Sequence, residues 1–167
     1  MKFSRHLSML LCLFTTNVAW SFQQCQSDIS RSTANSRFQL QNNNSEIKDL
    51  KTGLIWERCP LGQSWSGTAC TGSIGQYTWA NALQTAKNKG NGWRMPNIKE
   101  LKSIVEDACF DPAVNLTFFL NVAEESVYWS SSPNVDDATS AWAVMFNDGK
   151  SSSWPKIDSI SVRLVRN

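Results

Sequence analysis

The sequence predicts an α+β domain, and three observations carry that prediction. Short alternating runs broken by Asn- and Gly-based turns come first, beginning at Arg37. Two windows with helical spacing occupy the middle, and alternating runs return in the last third. Strands, then helices, then strands is the order of an α+β fold rather than of alternating βαβ units. No internal repeat or low-complexity tract competes with it.

The chain divides into three parts. Lys2 and Arg5 precede an apolar run, Leu7 to Phe14, and Ala19-Trp20-Ser21 follows with small residues where a signal peptidase reads. Residues 1–21 are thus a secretory signal, with cleavage after Ser21 and Ala19 as the alternative. The run is too short to span a membrane. Cys12 follows Leu11, not a small residue, which argues against a lipoprotein anchor. Residues 22–45 read as a polar lead-in and residues 46–167 as the domain. Export to the periplasm or the outer surface of a bacterium is expected, with no other apolar run of spanning length.

Loss of the signal changes the available chemistry. Lys2 and Arg5 leave, so sixteen basic residues become fourteen, against fourteen acidic ones. A balanced chain gives no electrostatic ground for nucleic-acid binding. The single histidine, His6, leaves too. Without it there is no Ser-His-Asp or Cys-His catalysis and no histidine-bound metal.

The elements follow in order. "RFQLQ" alternates, "NNNS" turns, "EIKDL" continues, "KTG" turns again and "LIWER" forms a further strand. Thr78 is the expected N-cap of a helix over "WANALQTAKNK", with Trp79, Ala82, Leu83 and Ala86 on one face and Gly90 as its stop. Asn97 and Glu100 form a capping box behind Pro96. The second helix then runs to about Asp107, with Ile98, Leu101, Ile104 and Val105 as its buried stripe. Trp93 is expected to pack between the two helices, and Arg94 to pair with a carboxylate or with helix C-terminal carbonyls. "SVYWSSS" and "SAWAVMFN" read as strands, the latter with Trp142, Val144 and Phe146 on one face. Asp148-Gly149 is a hairpin turn leading into "KSSSW". "SISVRLVR" closes the chain, alternating Ile160, Val162 and Leu164 against Ser161 and Arg163. Trp56, Trp79, Trp93, Trp129 and Trp142 are assigned to the core.

Four cysteines remain beyond the signal: Cys25, Cys59, Cys70 and Cys109. An even number in an exported chain points to two disulfides, with three possible connectivities. Cys59–Cys70 and Cys25–Cys109 are favoured, the first closing the polar loop between them. A four-cysteine zinc site is the rival, but no CxxC pair is present.

Six blocks in order, "DLKTGLIWERC", "YTWANAL", "GWRMPNIKELKSIVE", "VYWSSS", "AWAVMFNDGK" and "VRLVR", resemble the Lcl C-terminal domain family from about Asp49 to Arg166. The most specific part is Gly92-Trp93-Arg94-x-Pro96 with Glu100-Leu101. The resemblance implies a C-type-lectin-like fold, with two helices beside small antiparallel sheets and the first and last strands paired. It also implies a link to a surface adhesin whose domain is associated with sulfated glycosaminoglycans, although no Gly-X-Y stalk is present here. Formylglycine-generating enzymes share that fold but use paired reactive cysteines, which no position matches. A non-enzymatic recognition module for a glycan, sulfated polysaccharides included, or for a surface protein is therefore expected. A structural accessory of a surface assembly is the alternative.

In lectin-like folds the late loops usually carry the ligand face, which directs attention to "SPNVDDATS" and "FNDGKSSSWPKID". The candidate ligand residues are Trp154 with Ser152 and Lys156, then Asn147, Asp148, Asp136 and Asp137, and Trp65 on the cysteine loop. An aromatic platform among short hydroxyls suits a sugar. Packing at a sheet edge is the competing and favoured reading for Trp154, as loop packing is for Trp65. No cofactor is expected. Calcium needs about six to eight oxygen ligands, and Asp136, Asp137 and Asp148 are the only carboxylates placed to gather around it. Arg163 and Arg166 flank Leu164 and Val165. They face a sulfated ligand or are held structurally, with ion pairing favoured for Arg94 and Arg163.

Overall fold

The computed structural model describes residues 23–122 and 127–167. The expected signal segment and Ser126 of the "SVYWSSS" strand lie outside the described residues. The strands are β1 (Gln24–Cys25), β2 (Phe38–Gln41), β3 (Glu46–Asp49), β4 (Ile55–Glu57), β5 (Ser64–Trp65) and β6 (Cys70–Thr71). After the helices α1 (Trp79–Lys89) and α2 (Ile98–Ser103) come β7 (Cys109–Phe110), β8 (Val127–Pro133), β9 (Ser140–Met145), β10 (Ser151–Pro155) and β11 (Val165–Arg166). They form a four-stranded sheet, β11-β4-β3-β2, a three-stranded sheet, β10-β9-β8, and the ribbons β1-β7 and β5-β6. Every pairing is antiparallel. This is the α+β arrangement expected from the sequence.

The three-stranded sheet separates two cores because successive side chains of a strand point to opposite faces. Tyr128, Val144 and Phe146 enter one cluster with Trp56, Phe119 and the α2 residues Leu101 and Ile104. Trp129, Ala141 and Ala143 enter the other with Ala82 and Ala86 of α1, Trp93 and Met95. Each fully buried large side chain contributes roughly 1.5–3 kcal/mol relative to exposure. Both disulfides pair as favoured, Cys25 with Cys109 and Cys59 with Cys70.

Residues ahead of Glu46 are integrated into the fold. Phe38 is buried, and β2 pairs with β3 from Phe38↔Asp49 to Gln41↔Glu46. The turn between them holds Asn42, Asn43 and Asn44 at φ of 48°, 52° and 62°, a left-handed conformation that asparagine tolerates. Arg37 grips the buried Asp49 through Nε at 2.8 Å and Nη2 at 2.5 Å. Burial works against the Asp49 charge, but the hydrogen bonds from Arg37, Thr52 and Lys51 outweigh it and hold its carboxyl below the ordinary range.

Farther upstream, Glu106 is 1% exposed. Its carboxylate accepts from Ser32 N (3.0 Å), Thr33 N (3.0 Å), Thr33 Oγ1 (2.7 Å) and Ala108 N (3.1 Å). Burial again raises its pKa and those bonds lower it, with a net depression.

Several sequence expectations are corrected. Thr78 precedes α1, but its side chain makes no cap bond. α2 stops at Ser103, four residues before the expected end. Val105 pairs with Val114 and Glu106 is drawn to Ser32 and Thr33, so tertiary bonding ends the helix. Trp93 belongs to the α1-side cluster, whereas Leu101 and Ile104 lie in the other one. Trp142 and Trp79 are only half-buried.

The closing segment is not one regular strand, and Ser161 to Val165 are all buried. Its backbone bonds are divided among Tyr77, Trp129, Leu61, Glu57 and Arg94, so both sides of the chain are covered. The first and last strands do not pair: β1 binds β7, and β11 binds β4.

Candidate ligand-binding site

The Gly92–Leu101 stretch is a structural hub. Asn97 caps α2 by accepting from Glu100 N at 2.9 Å, and Glu100 Oε2 accepts from Asn97 N at 2.8 Å. Arg94 closes on the same carboxylate through both Nη atoms, each at 2.8 Å. Those bonds raise Arg94 and depress Glu100 against the opposing effect of burial. The Arg94 backbone exchanges two hydrogen bonds with Val165, and Pro96 O accepts from Ser131 N. The motif thus joins α2 to β11 and β8. Of the two partners expected for Arg94, the carboxylate is the observed one.

Arg163 is buried at 1% exposure and is held by carbonyls rather than in an ion pair. Nη1 donates to Glu57 O (3.1 Å) and Arg58 O (2.6 Å), and Nη2 to Leu120 O (2.9 Å). Burial pushes it below an arginine's ordinary value, with Tyr128 and Glu57 opposing that shift. It faces no ligand. Arg166 pairs with Glu46 Oε2 at 2.8 Å and lies 5.1 Å from the centroid of the Trp93 ring.

The expected ligand residues separate into three places. Trp154 pairs across from Ala141 at one end of the β9–β10 hairpin, half-buried against the α1-side core. Asp136 and Asp137 occupy the β8–β9 loop at that end. Lys156 reaches it by donating to Ala138 O at 2.7 Å while lying 4.7 Å from the Trp79 ring centroid. Ser152 is two residues from Trp154 on the same face. Asn147 and Asp148 form the turn at the opposite end, about 13 Å away at the usual rise per strand residue.

Asp137 is occupied by Thr139 N and Oγ1, at 2.9 and 2.6 Å, and the side-chain bond from Thr139 is the main cause of its lowered pKa. Asp148 pairs with Lys150 at 2.6 Å. The three aspartates therefore do not gather. Among the described residues no cluster of three His, Cys, Asp or Glu side chains is placed to hold a metal ion.

Trp65 occupies the third place. The β5–β6 ribbon, closed by Cys59–Cys70, docks on the asparagine turn through Trp65 Nε1, which donates to Asn43 O at 2.9 Å. The Arg58 guanidinium lies 4.4 Å from the Trp65 ring centroid and donates to Asn44 O at 3.2 Å. Two cavities meet nearby, with Trp93 lining both. A groove of about 620 Å³ runs between α1 and the Gly92–Met95 loop, past Leu83, Lys87 and Glu100. A more polar cleft of about 390 Å³ is lined by Trp65, Asn42, Gln63, Asn91, Glu46, Glu57 and Lys89.

That cleft assembles tryptophan, amide and carboxylate side chains from the asparagine turn, β4, the disulfide ribbon and the end of α1. Sequence reasoning singled out Trp65 but missed its neighbours. Asn42 read only as part of a turn, Asn91 was given no role, and Glu57 and Lys89 are far apart in sequence although their side chains form an ion pair.

Comparison with curated proteins finds no match. The blocks that resembled the Lcl C-terminal domain include this hub and supply the end of β3, β4, parts of both helices, β8, β9 and β11. The family model of the Lcl C-terminal domain covers residues 45–166, and the chain belongs to that family.

Proposed function

We propose that this protein is an exported, non-enzymatic recognition module of C-type-lectin-like fold that binds a saccharide at the bacterial periplasm or cell surface. The observation that carries the reading is the Trp65 cleft. Its aromatic wall is braced from two directions, and amide and carboxylate side chains surround it at close quarters. Few, fixed polar groups around an aromatic surface are what a polyhydroxylated ligand needs. At about 390 Å³ the cleft is of ligand size. The two disulfides support an oxidising compartment.

The test is a broad glycan array, sulfated polysaccharides included, probed with the oxidised protein in calcium and again with a chelator. A specific hit that weakens about tenfold in Trp65→Ala, in a protein with unchanged near-UV circular dichroism, is the expected result. Loss in Trp154→Ala with Trp65→Ala unaffected would move the site to β10. A blank array would remove the reading.

A second reading, a structural accessory in a surface assembly, draws on another observation. Val135 and Ile157 are 90% and 83% exposed, on loops joined by Lys156 N donating to Thr139 O at 2.9 Å. Apolar tips of this kind suit protein contact. Concentration-dependent sedimentation abolished by Val135→Asp with Ile157→Asp would favour it.

A further inference from the structure

The groove of about 620 Å³ between α1 and the Gly92–Met95 loop has no part in the saccharide reading. Its floor is apolar, made by Leu83, Ala86, Trp93 and Met95, and it reaches down to the α1-side core to which those residues belong. Three charged side chains line it. Arg94 and Glu100 neutralise each other, which leaves Lys87 with no ion pair among the described residues. Behind the loop, Arg166 is paired with Glu46 and Lys89 with Glu57.

The protein also displays an apolar tip. Val135, in the β8–β9 loop, and Ile157, just after β10, are the most exposed large hydrophobic side chains among the described residues. Lys156 N donates to Thr139 O and sets the two loops side by side. The loops carry Asp136, Asp137 and Asp158 against Lys156 alone, an excess of two negative charges. Asp137 is held by Thr139, whereas Asp136 and Asp158 form no ion pair among the described residues. Trp79 N donates to Lys156 O, so the tip abuts the start of α1. The groove lies further along that helix, from Leu83 to Gly90, roughly 6–16 Å away at the helical rise per residue. A chain's own tip is therefore displaced from its own groove.

Two tips set against each other would bring these carboxylates together, and an anionic membrane surface would repel them in the same way. The groove offers the opposite: an apolar floor, an unpaired ammonium group and no unpaired carboxylate among the side chains that line it. Resting on the reading of the protein as part of a surface assembly, we infer that the Val135–Ile157 tip of one copy docks in the α1 groove of the next, with Asp136 or Asp158 meeting Lys87. A contact between unlike surfaces repeats from copy to copy and builds a ring or a chain.

Sedimentation of the oxidised protein tests this with two variants. Val135→Asp with Ile157→Asp removes the tip, and Leu83→Gln with Lys87→Glu alters the groove, with near-UV circular dichroism to check folding. The wild type is expected to gain mass with loading, with a dissociation constant of roughly 0.1–1 mM for so small a contact. Each variant is expected to stay monomeric. An equal mixture of the two is expected to form dimers, because together they retain one tip and one groove. A charge swap leaves the groove floor untouched. Lys87→Glu alone should weaken association about threefold, and a partner carrying Asp136→Lys with Asp158→Lys should restore it.

A folded groove variant that associates like the wild type, while the tip variant does not, overturns this inference and leaves the assembly reading standing. A mixture that stays monomeric, or a charge swap that restores nothing, also overturns it. A wild type that is monomeric at every loading removes the assembly reading and this inference with it.

Discussion

Glu106→Gln is the sharpest perturbation of the fold. The side chain keeps its size but loses its charge and one of two acceptor oxygens. In the native protein those oxygens receive Ser32 N, Thr33 N, Thr33 Oγ1 and Ala108 N, all within 3.1 Å. Thr33 is fully buried, so donors left facing an amide NH₂ find little water. Loss of a hydrogen bond to a charged group costs roughly 1.5–3 kcal/mol, and an orphaned buried donor roughly 1–3 kcal/mol. Two such losses, softened by the adjoining polar cavity at Thr33 and Glu106, lead to an expected destabilisation of about 3 kcal/mol.

Urea unfolding followed by tryptophan fluorescence measures this directly. The pH dependence supplies a second check. Because the folded pKa of Glu106 lies below its unfolded value, the stabilisation is complete above the ordinary carboxylate range and is lost as pH falls through the folded value. Below a pH of about 5, the wild-type slope of stability against pH should exceed that of the variant by up to about 1.4 kcal/mol per pH unit. A change under about 1 kcal/mol, or equal slopes, would refute the view that this carboxylate holds residues 32 and 33 onto the domain.

Three further outcomes are expected. Gly149→Ala should destabilise by about 2 kcal/mol or more in thermal melts. Its φ is 74°, and an added Cβ meets Val105 Cγ1 at 2.5 Å. Asn97→Ala removes the acceptor for Glu100 N and should cost about 1 kcal/mol in the same assay; unchanged stability would mean that Arg94 and the residue 97 N–H hold Glu100 without the side-chain cap. Cys59→Ser opens a bridge spanning 11 residues and should cost about 3 kcal/mol in urea unfolding, with any saccharide specificity retained in the folded fraction.

Local signals carried much of the architecture. The Asn97–Glu100 box, the helix over residues 79–89, the asparagine turn and the Asp148-Gly149 turn depend on residues a few positions apart, and sequence spacing displays such relations directly. The β2-β3-β4 sequence was legible for the same reason, because alternation and short turns determine an antiparallel hairpin.

The closing segment shows where that reasoning fails. Alternation of Ile160, Val162 and Leu164 against Ser161 and Arg163 reads as a strand with one wet face. Five separate stretches of the chain bond its backbone in the folded protein, and Arg163 finds its carbonyls in residues 57, 58 and 120. An arginine's burial is decided by distant acceptors, which composition cannot reveal.

The same holds for the candidate site. Residues close in sequence between Asp136 and Lys156 were read together, but an extended hairpin places its two ends far apart. Trp65 gained its neighbours from the docking of a disulfide ribbon onto a turn some twenty residues upstream and onto the end of α1. By itself the sequence determined the class of fold, the presence of the two helices, the capping box of the second and the turns, because short-range geometry and hydrophobic period suffice for those. Only the tertiary structure decided which charges are buried, which loops share an end of the sheet and which side chains form the cleft, because those depend on contacts between residues far apart along the chain.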